Sequence, residues 1–130
     1  MIIDISNEVY TNLKASLVGV TVLTSYPSTS PVFPCVVFEE LSNVSNQTTV
    51  DSKGENYNDM AFEINIFSNS NNRLTEVKTI RKSIDEILAD GYKMNRSFSG
   101  ATPNYMDTDT QRYTLRYDFT IDKNKTIYRR

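Results

Sequence analysis

The stretch Gln111-Arg112-Tyr113-Thr114-Leu115-Arg116-Tyr117-Asp118-Phe119-Thr120-Ile121 alternates between two kinds of side chain. Tyr113, Leu115, Tyr117, Phe119 and Ile121 share one parity, while Arg112, Thr114, Arg116, Asp118 and Thr120 share the other. Neighbouring side chains on a strand point to opposite sides, so this reads as one long strand with an apolar and a polar face. A sheet built around it has one covered face and one facing outward.

Working back along the chain, Asp59 to Ser68 gives a second strand of this kind, with Phe62, Ile64 and Ile66 alternating with Glu63, Asn65 and Phe67. Phe33 or Cys35 to about Leu41 predicts a strand before it, and the β-branched run from Val20 to Tyr26 a short one earlier still. Tyr92, Met94, Arg96 and Phe98 alternate with polar residues up to Gly100, which predicts a further strand on the same parity rule. Two helices complete the pattern. The first carries Val9, Leu13 and Leu17 on one face with Tyr10 beside them, with Asp4 or Ser6 as cap and Gly19 as stop. The second carries Leu74, Val77, Ile80, Ile84, Ile87 and Leu88 at steps of three and four, with Asn71 or Asn72 as cap and Gly91 as its end. Its charged residues, from Glu76 to Glu86, read as a solvated surface.

The expected fold is therefore α+β: one mostly antiparallel sheet with two helices packed on one face, in the order α-β-β-β-α-β-β. A chain of 130 residues suits a single domain, 1–130, around one core. Between the second and third strands, Ser42 to Asn58 is long, polar and poor in apolar groups. Connections of that length without a core-forming pattern are functional or disordered, and this one reads as a protruding hairpin arm with Asp51, Lys53 and Glu55 around a turn at Gly54.

Composition removes most chemistry. Hydrophobic residues are 38% and charged residues 23%, as in a folded globular chain, and the net charge is −2. A nucleic-acid binder is expected to show a basic excess, because counterion release supplies much of its affinity. The aromatics Tyr113, Tyr117 and Phe119 also lie on the opposite parity from Arg112 and Arg116, so they do not form one stacking platform. Histidine is absent, which excludes Ser-His and Cys-His nucleophile pairs and His-containing zinc sites. The lone Cys35, between Pro34 and Val36, reads as a buried strand residue. Asp107-Thr108-Asp109 lacks the further oxygen ligands a divalent cation needs. Asp85-Glu86 diverges on a helix, Glu39-Glu40 diverges on a strand, and the four glycines are isolated, so no phosphate loop exists. The expectation is a non-enzyme without metal or cofactor. The start of the chain has neither a positive n-region nor an apolar h-region, and no apolar run is long enough to span a bilayer.

Interaction is what remains. Arg112, Arg116 and Asp118 on the last long strand and Glu63 on the third, with Asp51, Lys53 and Glu55 of the arm, are the candidate interface residues.

The order of an N-terminal helix, a short strand, the Phe33-Pro34-Cys35-Val36-Val37-Phe38 strand, a polar arm, a third strand, an amphipathic helix and the closing Arg112-Tyr113-Thr114-Leu115-Arg116-Tyr117 strand resembles the tail-terminator, or tail-completion, proteins of long-tailed bacteriophages. That resemblance implies a homohexameric ring that caps the finished tail tube and presents a surface to the head connector. The implied partners are further copies of the chain, the tail-tube protein and the connector, and the implied location is the neck of a virion assembled in the bacterial cytoplasm. The family implies no catalytic residues. Another neck or head-closure component is the nearest alternative, and a cytoplasmic non-enzymatic binding module is the alternative from a different class.

Overall fold

Asp4 starts the first helix from outside it. Its Oδ1 accepts hydrogen bonds from the backbone N–H of Ser6 at 2.8 Å and from the Ser6 hydroxyl at 2.7 Å, satisfying the first donor of α1 (Ser6–Ser16). Val9, Leu13 and Leu17 lie buried along one face, and Gly19, at φ +79°, turns the chain after the helix. The strands follow as β1 (Thr21–Leu23), β2 (Cys35–Ser45) and β3 (Tyr57–Ser68). Helix α2 (Arg73–Asp85) ends in a π-helical turn, Glu86–Gly91, and β4 (Asn95–Thr102), β5 (Gln111–Asp122) and the two-residue β6 (Ile127–Tyr128) close the chain. This computed structural model describes residues 3–26, 32–45, 57–103 and 109–128.

The strands form one curled sheet in the order β1-β2-β3-β5-β4, with β6 also paired to β5. All pairs are antiparallel except β1 with β2. The expected α+β order is thus present, with β6 as an additional strand. The central pair is β3 and β5, in register without interruption from Tyr57–Asp122 to Ser68–Gln111. Both helices pack on one face. Val9 and Leu13 of α1 and Val77, Ile80 and Ile84 of α2 share a core with Val36, Phe38, Phe62, Ile64, Leu115, Tyr117 and Phe119 from the strands.

Several local expectations need correction. β2 runs to Ser45, four residues beyond Leu41, because β3 starts at Tyr57 and supplies partners as far as Asn58–Ser45. β1 is only three residues long. Asn72 stands at the start of α2 without a side-chain capping bond; the first turn is held instead by Glu76, whose Oε1 accepts from the buried Ser68 hydroxyl at 2.6 Å. Leu74 is 45% exposed. At roughly 100° per residue it lies at the margin of the stripe defined by Val77, Ile80 and Ile84, not within it.

The strand expected from Tyr92 departs most. Its pairing with β5 slips between Arg96 and Phe98, so that Arg96 faces Tyr117 while Phe98 faces Arg116. A bulge of one residue at Ser97 reverses the parity beyond it. Met94 is buried, but Phe98 lies on the helix-free face and is 42% exposed.

Candidate functional site: the helix-free sheet face

The register places Glu63, Arg112, Arg116 and Asp118 on the same face, the one away from both helices. They join a set of cross-strand contacts there. Glu63 pairs directly with Arg116, whose Nε and Nη2 both reach the Glu63 Oε1 at 3.1 Å. Arg116 also lies over the Phe98 ring, 5.8 Å from its centre. One step along β5, Asp118 accepts a hydrogen bond from the Asn95 side chain at 3.0 Å. Farther along the sheet, Thr120 donates to Asp59 at 2.7 Å.

Toward the other end of this face, Asn65 is the hub. Its Oδ1 accepts from the Thr114 hydroxyl at 2.7 Å and from Arg112 Nε at 3.0 Å, and Thr114 shares a 2.7 Å bond with Thr102. Asn65 and Thr114 are 5% and 2% exposed, so these bonds satisfy polar groups that water does not reach. A small apolar cluster of Cys35, Val37 and Phe67 adjoins it, with Leu23 and Phe33 packed alongside. Cys35 sits there with no exposure, and burial pushes its thiol up to about 11. At neutral pH it is a protonated core residue, not a nucleophile.

Four of the seven expected interface residues are therefore brought together, with Arg112 tied into the Asn65 network through its Nε. Asp51, Lys53 and Glu55, with most of the expected arm, lie outside the described residues, as does Asp107. Among the described residues no group of three or more Cys, Asp or Glu could hold a metal ion, and no helix is long and apolar enough to cross a membrane.

A second polar constellation, on the helix side, was not anticipated. Charged residues of α2 that read as a solvated surface are anchored to the sheet. Asp85 accepts a 2.7 Å hydrogen bond from the fully buried Tyr117 hydroxyl and forms a 3.0 Å ion pair with Arg96. Burial, then the bond to Asp85 and its negative charge, hold the Tyr117 phenol well above its ordinary value. Arg81 donates to the Tyr113 hydroxyl at 2.8 Å and lies over its ring, and Ser99 bonds the same hydroxyl at 2.7 Å. Burial raises the Tyr113 phenol, but its bonds to Ser99 and Arg81 and the charges of Arg81 and Lys78 outweigh this and bring it below its usual value. The sequence did hold a signal for these contacts: a tyrosine at a core-facing position must find a partner for its hydroxyl.

Searched against protein-family models and against curated proteins, the chain matches none.

Proposed function

We propose that the chain is a structural assembly subunit of a bacteriophage neck, forming a ring that caps the tail tube and offers the head connector its docking surface. The observation that carries this reading is the helix-free face. Its Glu63–Arg116 and Asn95–Asp118 contacts fix charged side chains across three strands before any partner arrives. Fixing side chains in advance lowers the ordering cost of association, which suits a surface made for binding. The element order supports the same reading through its resemblance to tail-terminator proteins.

The chain's chemistry is consistent with that role. Its one cysteine is a protonated core residue, and the shifts of Tyr113 and Tyr117 are accounted for by burial and by contacts with α2 and β4. Affinity in a ring comes from many weak contacts engaged at once, so a modest surface of this kind suffices.

Electron microscopy of the purified protein, alone and mixed with isolated tail tubes, tests the proposal. Closed rings, and rings seated at one end of the tubes, are the expected images. Particles of protomer size that leave the tubes bare contradict it.

A further inference from the structure

Each side of the molecule exposes charged groups that take part in no ion pair among the described residues: Glu39 on one, Lys78 and Lys82 on the other. On the strands of the helix-free face, the half beyond Asn65 and Thr114 holds Glu39, Asp59, Glu63, Asp118 and Asp122, with Arg116 as the cation among them. Glu39 is exposed, stands directly opposite Glu63 across the β2–β3 pair, and forms no ion pair among the described residues. Like charges in that position repel, and Arg116 is already bonded to Glu63, so Glu39 gains from a cation brought from outside. Exposed apolar side chains flank the acids: Phe98 beside Arg116, and Val44, 57% exposed, opposite Asp59.

The opposite side of the sheet carries α2. There an open groove of about 490 Å³ runs between the helix and β4, with Lys78, Arg81 and Lys82 along the helix. Lys78 and Lys82 are one helical turn apart, exposed, and without an ion pair among the described residues. Of the acids lining the same groove, Asp85 is committed to Tyr117 and Arg96, and Asp90 lies at its far end. Glu86 stands one turn past Lys82, so Lys78, two turns from Glu86, is the cation least offset.

We infer that the occupant of the acidic sheet face is a second copy of this chain, docking through the Lys78–Lys82 flank of α2. Because the two surfaces lie on opposite sides of one sheet, the contact is head-to-tail. Such heterologous contacts build a ring when the rotation closes. The inference rests on the ring-forming reading and specifies its interface.

Charge reversal in three variants tests it. Glu39→Lys alone, and Lys78→Glu with Lys82→Glu, should each keep the parent's circular dichroism and raise the concentration for half-assembly at least about tenfold. Mixing the two variants in equal amounts should restore assembly, since each then supplies the charge the other lacks. The chain carrying all three reversals should assemble alone. Unchanged assembly of the single-side variants, or no recovery in both the mixture and the triple variant, overturns the interface while leaving the ring reading in place. A parent chain that stays a protomer at every concentration overturns the ring reading itself, and this interface with it.

Discussion

The two faces of the sheet use the same strands in different ways. The helix-covered face buries Phe62, Ile64, Leu115, Tyr117 and Phe119 against α1 and α2, and its polar side chains are few. The Tyr117 and Tyr113 hydroxyls are paired, while the buried Asn58 Oδ1 accepts no hydrogen bond among the described residues. The outer face buries less apolar surface, around Cys35, Val37 and Phe67, and spends the rest of its width on cross-strand polar contacts. Packing on the first face sets stability, because apolar burial is the dominant favourable term in folding. On the second face the buried Asn65–Thr114 bonds help to hold the strands together, whereas the exposed contact between Glu63 and Arg116 contributes little to folding and leaves charged groups positioned at the surface. One strand pattern thus divides the molecule into a face packed under two helices and a face that keeps charged groups at the surface.

Breaking that division requires a substitution on the inner face with a small effect, or one on the outer face with a large effect. Phe62→Ala and Phe119→Ala should each cost about 3–5 kcal/mol, read from urea unfolding, because both rings are fully buried and touch one another. A loss below about 1 kcal/mol would place these residues outside the core. Asp85→Ala should cost about 1–3 kcal/mol by leaving the buried Tyr117 hydroxyl without its acceptor. The same change in a Tyr117→Phe background should cost less, since no hydroxyl is then stranded. Equal costs in both backgrounds would show that the bond is not what ties α2 to β5.

Titration gives a prediction in between. The Cys35 thiol sits at about 11 in the folded chain against 9.0 as its reference value, so the native state holds its proton more tightly than the unfolded one. Stability from this group is fully present below pH 9 and falls as pH rises toward 11. The raised Tyr117 phenol acts in the same direction at still higher pH. Unfolding midpoints followed from pH 7 to 11 should decline above pH 9, and Cys35→Ser should reduce the part of the decline that begins there. In the native protein a thiol reagent at pH 8 should leave Cys35 unmodified until denaturant is added. The smallest effect belongs to the outer face. Glu63→Gln should cost about 1 kcal/mol or less, diminishing with salt, because Arg116 is half exposed.

Most of this division was legible in the residues. Alternation in β3 and β5 fixes which side chains share a face, and the structure keeps that parity along the whole of both strands. Helix spacing placed Val9, Leu13, Val77, Ile80 and Ile84 in the core. Where the reading failed, an event without a compositional signal intervened. The bulge at Ser97 inverts parity within β4, and nothing in Asn95-Arg96-Ser97-Phe98 marks it, so simple alternation puts Phe98 on the side of Arg96 whereas it lies on the opposite one. β6 has only two residues, too few for any period to show. The outer-face residues were legible as a set, whereas the pairing of Glu63 with Arg116 needed the register of β3 against β5. Likewise, the role of Asp85 depends on which strand lies under α2, a long-range fact that local pattern does not contain.

Sedimentation of the purified chain across a hundredfold range of concentration, at low and at physiological salt, bears most directly on the claim that the outer face exists to assemble copies of the molecule. The account predicts a single assembled species at a fixed integer multiple of the 14.9 kDa protomer, dissociating as salt rises. A 14.9 kDa species at every concentration and both salt levels would contradict it.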